Sequence, residues 1–276
     1  MISNPLRDKL MTTPFLIMAH RGFWGGNIIE NTIESAILAY RAGADIVEVD
    51  ICRTADHQYY LFHDGNEPKV LCREENFKEL TSEDINNSPV YNSIGSPSGH
   101  RLNTLAQFLD WLPKGKMINI DRSWEYWSDP AFFELIRRSG KQEQLIFKSP
   151  AVTEYLTHFS ENGKGLAYIP IIFNTGEADL VLSYSELNTV GFELIIDHFN
   201  SDLLSEEWLK RIRQKDLVTV VNSENLGNEF NLLGGFHDDV ALIENKSWDK
   251  IVDLGIGIIQ TDWPNFLNEY RKNMKW

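Results

Sequence analysis

The chain has 276 residues, 42% of them hydrophobic, with a formal net charge of −14 and a pI near 4.9. This length suits one large α/β domain, and the negative charge disfavours nucleic acid or an anionic membrane surface as a partner. Only Cys52 and Cys72 occur, no apolar run approaches the roughly 18 residues of a membrane span, and the first residues lack a signal-peptide core. We therefore expect a cytoplasmic protein without stable membrane insertion.

Apolar stretches alternate with amphipathic stretches along the chain. The candidate strands are residues 15–19, 45–51, 59–63, 116–121, 144–148, 166–172, 192–197, 217–222 and 256–262, and helical patterns separate most of them. Such alternation indicates a parallel sheet. About eight strand–helix units, with no long linker and no glycine-rich phosphate loop, favour a (β/α)8 TIM barrel over an open doubly wound sheet. We expect one domain spanning residues 1–276.

A long polar segment follows the strand predicted at residues 59–63. It runs from about residue 66 to residue 103 and is rich in Asn and Ser, with Pro near its end. This is too long for an ordinary connection between two barrel elements. We interpret it as a small insertion after the second barrel strand, lying over the barrel mouth.

The first strand ends on a histidine and an arginine. His20 and Arg21 directly follow the apolar residues 15–19, and His63 with Asp64 ends a later strand in the same way. Ligands of parallel α/β folds bind at the carboxyl ends of strands, so a base and a permanent cation there suggest an anionic substrate. Two such histidines can supply an acid and a base. The alternative is a structural histidine and a surface ion pair.

Two acids lie on the second strand at alternate positions. Side chains alternate along a strand, so Glu48 and Asp50 share one face while Val47, Val49 and Ile51 share the other. The apolar face would meet the helices, which directs both carboxylates into the barrel. Two like charges on a buried face repel unless a cation neutralises them. The pair therefore predicts a divalent metal site, with solvated acids on a surface hairpin as the alternative.

Short motifs in a specific order carry a resemblance to a known family. They are HRG (20–22), ENTIESA (30–36), AGADIVEVDI (42–51), LFHD (61–64), INID (118–121) and GIIQTDWP (257–264). Together they resemble the glycerophosphodiester phosphodiesterases, which are (β/α)8 barrels with an insertion after the second strand. The resemblance implies metal-dependent hydrolysis of a glycerophosphodiester, or a related small phosphodiester, to an alcohol and a phosphomonoester.

The same resemblance implies roles for individual residues. His20 and His63 correspond to the acid–base pair, Arg21 to the phosphate clamp, and Glu48 with Asp50 to ligands of a Ca²⁺ or Mg²⁺ ion. In the family the nucleophile is thought to be the vicinal hydroxyl of the substrate, which gives a cyclic phosphate that water then opens.

Glu30 resembles a further acid of the site, either at the metal or holding a histidine. An acid at the start of a helix, beside the capping residues Asn31 and Thr32, is an equally good interpretation of Glu30.

The third metal ligand departs from the family pattern. The family's third strand typically ends Asn-Ile-Glu-x-Lys, where this chain has Asp121 as a shorter acid and Ser123 in place of the cation. Strand alternation turns Arg122 away from the inner face. Lys148, at the end of the next strand, is our candidate for the missing charge on the substrate phosphate; an ordinary surface lysine is the alternative.

Several large aromatic residues follow predicted strands, where barrel loops build a pocket. They are Trp24, Trp124, Tyr126, Trp127 and Trp263. Such rings cover sugars or lipid chains better than a glycerol head, which suggests a bulky alcohol and a substrate contact for Trp263. The alternative is that the rings only pack the loops.

Residues 234–248 place His237, Asp238 and Asp239 close together. A metal site there is one interpretation, and a polar loop before the last strand is the favoured one.

Two classes of function are consistent with the sequence. One is the hydrolase, and the other is a related barrel that binds a phosphorylated ligand or catalyses a different reaction, because its third-strand motif is altered. The two strand-end histidines favour the enzyme, since a binding protein needs cations but no imidazole pair. The partner is then a small anionic diester, and the sequence makes no prediction of oligomeric state.

Overall fold

Parallel strands pair in a ring around one axis of the molecule. The computed structural model describes residues 5–226, 232–244 and 246–274. The strands are β1 (Leu16–Ala19), β2 (Ile46–Arg53), β3 (Tyr59–Leu61), β4 (Met117–Asp121), β5 (Leu145–Phe147), β6 (Ala167–Tyr168), β7 (Ile171–Ile172), β8 (Asn188–Thr189), β9 (Gly191–Leu194), β10 (Val218–Asn222) and β11 (Ile258–Thr261).

Helices lie between most of these strands. They are α1 (Pro5–Leu10), α2 (Ile33–Ala42), α3 (Glu67–Val70), α4 (Ser82–Asn87), α5 (Leu105–Trp111), α6 (Pro130–Arg138), α7 (Thr153–Asn162), α8 (Thr175–Leu182), α9 (Glu206–Gln214), α10 (Asp238–Glu244), α11 (Lys246–Asp253) and α12 (Pro264–Asn273). No described helix has the length and apolarity needed to cross a bilayer.

The barrel closes with eight strands, two of which are interrupted in the middle. β1 pairs with β2 and β11, β2 with β4, and β4 with β5, all in parallel. β6 and β7 are the two parts of one barrel strand, and β8 and β9 are the two parts of the next. β6 pairs with β5 and β8, and β9 pairs with β7 and β10, so these two strands connect β5 to β10. β10 then pairs with β11. The predicted (β/α)8 barrel is confirmed.

The strand predicted at residues 59–63 lies outside the ring. It forms β3, which pairs antiparallel with β2. Only residues 54–58 separate the two strands. Because a parallel crossover needs about a dozen residues or more, so short a connection returns the chain as a hairpin. His63 follows β3, so it reaches the mouth from a hairpin beside β2 and not from the end of a barrel strand.

Alternation along the strands separates two apolar layers. Ile17, Val47, Val49 and other outward residues pack against the helices, whereas a second cluster fills the barrel interior. Each such side chain contributes about 1.5–3 kcal/mol on burial. Five buried polar residues each lie two positions after an interior apolar residue, namely Glu48, Asn119, Lys148, Asn222 and Gln260 after Ile46, Met117, Ile146, Val220 and Ile258. The barrel interior thus changes from apolar to polar at these five positions, and the polar residues form the bottom of the mouth.

The start of α2 positions the residues that precede it. Thr32 caps the helix by accepting a hydrogen bond from the Ser35 amide, and the Ser35 side chain accepts one from the Thr32 amide. Gly43 ends the helix with a φ of 100°, where a Cβ would lie 2.0 Å from Asn268 Nδ2. With both ends fixed, Glu30 and Asn31 enter the mouth at defined positions.

The segment from residue 66 to residue 103 carries α3, α4 and a small core of its own. Phe77 stacks on Phe62 with ring centroids 4.4 Å apart, and Val70, Leu71 and Ile85 belong to the same cluster. Because Phe62 directly precedes His63, this packing also fixes the end of β3.

Candidate active site

The end of β1 places His20 against the end of β11. His20 Nδ1 lies 2.9 Å from Asp262 Oδ1, and the His20 amide donates to the Thr261 carbonyl. Burial alone would lower the pKa of His20, but the hydrogen bond to Asp262 and the charge of Glu224 raise it to about 9. The imidazole of His20 is therefore protonated at neutral pH.

Arg21 turns into the mouth because its backbone is left-handed, with a φ of 54°. Its amide donates to Glu48 Oε2 at 2.8 Å, and its Nε lies 3.2 Å from Asp50 Oδ2. Its Nη1 donates to Glu30 Oε1 at 3.0 Å. One residue thus links three acids, and the turn places a permanent cation at the centre of the site.

Glu30 lies against cations rather than within the acidic cluster. Its carboxylate accepts from Arg21, from Lys69 and from Asn66, the last two on the segment from residue 66 to residue 103. Burial would raise the pKa of Glu30, but Arg21 and Lys69 hold it below its usual value. Glu30 is therefore paired with Arg21 and with Lys69 of α3, and its part at the metal or beside a histidine stays a prediction.

Glu48, Asp50 and Asp121 form the acidic cluster. Each offers a carboxylate oxygen within 4.8 Å of the other two, and β2 and β4 place Asp50 directly beside Asp121. Burial and the charge of Asp50 raise the pKa of Glu48 to about 8. Glu48 Oε1 is buried and accepts no hydrogen bond from the described residues. An unpartnered oxygen among three hard oxygen donors fits a divalent cation such as Ca²⁺ or Mg²⁺.

His63 follows β3 and is close enough to Asp50 for their charges to interact. Its Nδ1 is buried, and no described group hydrogen-bonds to it. Burial lowers the pKa of His63, and the cations Arg21 and Arg122 counteract the opposite influence of Asp50. The pKa of His63 thus lies below its ordinary value and that of His20 above it, so the two imidazoles favour opposite protonation states near neutral pH.

The end of β4 differs from what strand alternation predicts. Arg122 has a φ of 51°, and its Nε lies 3.6 Å from Asp50 Oδ1, so it faces the site. The prediction that Arg122 faces away is wrong, because β4 ends at Asp121 and alternation ends with it. Ser123 is fully buried and accepts from Trp127 Nε1 at 3.1 Å. A lysine at position 123 would therefore enter the core.

Lys148 points into the barrel. Its Nζ lies 2.8 Å from Asp121 Oδ2 and 3.1 Å from Glu193 Oε2, and the residue is 1% exposed. Burial would lower the pKa of Lys148, but Asp121 and Glu193 hold it well above its ordinary value. The alternative of a surface lysine is thereby excluded, and a fixed cation lies beside the acidic cluster.

Sequence reasoning missed several residues of the site. Asn31 donates to Asp50 Oδ2 at 2.9 Å, Asn222 donates to Glu193 at 2.9 Å, and Gln260 donates to Glu224 at 2.8 Å. Position on the inner face could have indicated Asn222 and Gln260, because each follows an interior apolar residue by two positions. The contact of Asp262 with His20 had no local signal.

The five predicted aromatic residues divide between core and mouth. Trp127 and Tyr126 are buried, and Trp127 packs edge-on against Tyr168 in the outer apolar layer. Trp24 lies under Lys69, with the ammonium 4.3 Å from the ring centroid. Trp124 is partly buried against that same layer. Trp263 is 40% exposed, and its contact with a substrate stays a prediction.

Residues 234–248 form helical structure in their described part rather than the favoured polar loop. Asp238 begins α10, and both of its oxygens accept hydrogen bonds, from Ser223, Trp248, Thr261 and the Asp262 amide. Asn245 lies outside the described residues, as do the side chains of residues 246 and 247. The only described group with metal-ligand geometry is the acidic cluster, so the structure gives no support to a second metal site here.

The fold and this arrangement of charges are typical of a barrel hydrolase that acts on an anionic ester. Comparisons with known proteins define the class further. A model of the Glycerophosphoryl diester phosphodiesterase family matches residues 20–226. A glycerophosphodiester phosphodiesterase of Bacillus altitudinis is 22% identical over 275 residues, covering 94% of this chain and 99% of the relative.

Solved structures share the whole architecture. A glycerophosphodiester phosphodiesterase from Parabacteroides distasonis superposes with a TM-score of 0.69 at 17% identity, covering 94% of this chain and 98% of that one. A phosphodiesterase from Oleispira antarctica, solved with the product sn-glycerol-3-phosphate, gives a TM-score of 0.65 at 14% identity, covering 92% and 95%. The chain belongs to the glycerophosphoryl diester phosphodiesterase family and is a phosphoric diester hydrolase, as its motifs predicted.

Proposed function

We propose that the protein hydrolyses a glycerophosphodiester, or a related small phosphodiester, to an alcohol and a phosphomonoester by metal-dependent acid–base catalysis. The observation that carries the proposal is the pair of imidazoles at one mouth, with His20 charged beside Asp262 and His63 neutral beside Asp50. Arg21 lies among the acids between them. A phosphodiester is an anion that needs this combination of a cation, an acid and a base.

Glu48, Asp50 and Asp121 would hold the divalent ion, Ca²⁺ or Mg²⁺. When bound, such an ion supplies positive charge that stabilises the charge developing on the phosphoryl oxygens. Arg21 and Lys148 are two of the protein's own cations at the same place, Arg21 against Asp50 and Lys148 against Asp121. We assign them to the phosphate, with Lys148 taking the part of the cation absent at Ser123.

His63 acts as base and His20 as acid in the first step. His63 takes the proton of the vicinal hydroxyl, whose oxygen attacks phosphorus, and the leaving alkoxide takes the proton of His20. The product is a cyclic phosphate. Water opens it when His20, now neutral, accepts a proton from the water and His63 returns one to the ring oxygen that leaves. Both histidines end in their starting states.

The decisive test is turnover of the glycerol diester with p-nitrophenol as leaving group, which carries the vicinal hydroxyl that the mechanism needs, with and without EDTA. We expect p-nitrophenol release that EDTA abolishes and that Ca²⁺ or Mg²⁺ restores. Glu48→Gln should lower activity and the metal-induced rise in Tm together. The apo fold should survive this change, because glutamine still accepts from Arg21 and one of two repelling acids is removed.

Glu67→Gln is the matched control for that change. Glu67 is also a buried acid that accepts a backbone hydrogen bond, from Phe77, but it lies on α3 outside the acidic cluster. The Tm of the Glu67→Gln variant should rise with added metal as it does in the wild type. An undiminished rise in Glu48→Gln would remove Glu48 from the metal site, and release of p-nitrophenol unaffected by EDTA would end the proposal of metal dependence.

Trp263 is our proposed contact for the alcohol. It follows Asp262 directly, and its exposed ring lies 6.0 Å from that of Phe266, which is 41% exposed. Trp263→Ala should raise KM several-fold for diesters with a bulky alcohol and leave KM for glycerophosphoethanol nearly unchanged, since a small head leaves the ring uncovered. A panel of diesters measures this, and equal changes for large and small alcohols would contradict it.

A further inference from the structure

Asp238 is a buried carboxylate at the first turn of α10. Its Oδ1 accepts from Ser223 Oγ at 2.6 Å and from Trp248 Nε1 at 3.2 Å. Its Oδ2 accepts from Thr261 Oγ1 at 2.7 Å and from the Asp262 amide at 3.0 Å. These four bonds tie the end of β10, the end of β11 and α11 to one side chain. The donors are uncharged groups, so burying the carboxylate is costly unless all four bonds form.

The hydrogen bonds of Asp238 lead through its neighbours to His20, the acid of the proposed mechanism. The Asp262 amide is held by Asp238, and the Asp262 carboxylate holds His20 Nδ1 at 2.9 Å. Thr261 is held in the same way, and its carbonyl accepts from the His20 amide. The side chain of Asp262 is 32% exposed, against 13% for His20. A partly exposed carboxylate gains a fixed direction when its own backbone is bound from behind.

We infer that Asp238 is a positioning residue for His20, acting through Thr261 and Asp262. The inference rests on the proposed function, in which His20 protonates the leaving alkoxide. It also assigns a role to Asp238 in the segment 234–248, whose described residues are not part of the acidic cluster. A displacement of about 1 Å at a catalytic group can cost about 100-fold in rate, so the bonds of Asp238 bear directly on turnover.

The kinetic test compares two glycerol diesters, one with an alkyl alcohol and one with p-nitrophenol as the leaving group. Asparagine at position 238 keeps one acceptor oxygen but turns an NH₂ group toward donors. Asp238→Asn should therefore lower kcat for the alkyl diester by about 10- to 100-fold, with KM nearly unchanged, because His20 is displaced. The p-nitrophenyl diester should lose about threefold or less, since its leaving group hardly needs a proton.

Asp239→Asn is the matched control, because Asp239 is the exposed neighbour on the same helix and bonds to Asn225 instead. It should leave both substrates unaffected. If Asp238→Asn folds poorly, Thr261→Val removes one bond of the same set, together with the bond that Thr261 Oγ1 accepts from the Trp263 amide, and Thr261→Ser restores the hydroxyl and both bonds. Valine should reproduce the selective loss and serine should rescue it. Equal losses on both diesters, or no loss on the alkyl diester, would overturn the inference.

A spectroscopic measurement on the metal-free protein separates this inference from the proposed function. The Nδ1 proton of His20 should give a downfield NMR signal, assigned by its absence in His20→Asn. It should persist in Asp239→Asn and Thr261→Ser and shift or broaden in Asp238→Asn and Thr261→Val. An unchanged signal in the last two overturns the positioning role. Absence of diesterase activity in the wild type, with these shifts present, would instead overturn the proposed function alone.

Discussion

Replacing Lys148 by methionine should lower kcat/KM for diester hydrolysis by about 100-fold or more, because a cation beside the transferring phosphoryl group is lost. It should also lower the free energy of unfolding by about 3 kcal/mol, since the buried Glu193 and the partly buried Asp121 lose the ammonium that pairs with them. Steady-state kinetics and denaturant unfolding measure the two effects. The catalytic loss alone tests the assignment to the phosphate.

A second substitution separates stability from catalysis. Lys148→Met combined with Glu193→Gln removes one of the two unpaired charges and keeps an oxygen for Asn222. The double variant should regain part of the stability and little of kcat/KM. As a control, Lys78→Met removes a lysine that pairs with Asp64 and Glu125 on the surface and should cost about 1 kcal/mol or less. Wild-type kcat/KM in the double variant would restrict Lys148 to a structural role.

Removing the two histidines one at a time should give different dependences on the leaving group. On a glycerol diester with an alkyl alcohol, His20→Ala and His63→Ala should each lower kcat by about 10²–10⁴-fold, and the double variant by far less than the product. When the leaving group is p-nitrophenol, His20→Ala should lose little and His63→Ala as much as before. The reason is that nitrophenolate leaves without a proton, whereas the nucleophile still needs a base.

The exposed His57 provides the control for this pair, and His57→Ala should retain full activity on both diesters. Equal losses for the His20 and His63 variants on both substrates would contradict the division of labour. A reversed pattern, with His63 sensitive to the leaving group, would exchange the two roles while keeping the same site.

The sequence determined what each strand presents to the barrel. The period of two in residues 45–51 is sufficient to place Glu48 and Asp50 inside, and the outer layer contains Val47, Val49 and Ile51 as expected. The order of the motifs also predicted the family and the barrel. The face that a strand residue presents is a local property, because it depends on the neighbouring residues in the chain.

Only the tertiary structure decided which charged groups meet. Asp262 reaches His20 across 242 residues of chain, and Glu193 reaches Lys148 across 45, because strands distant in sequence end at the same mouth. Likewise the left-handed backbone of Arg122 turns it toward Asp50 where alternation no longer applies. Pairing between strands and the dihedral angles of the loops depend on packing of the whole chain. The neighbours that determine the protonation state of each group are therefore absent from any local pattern in the sequence.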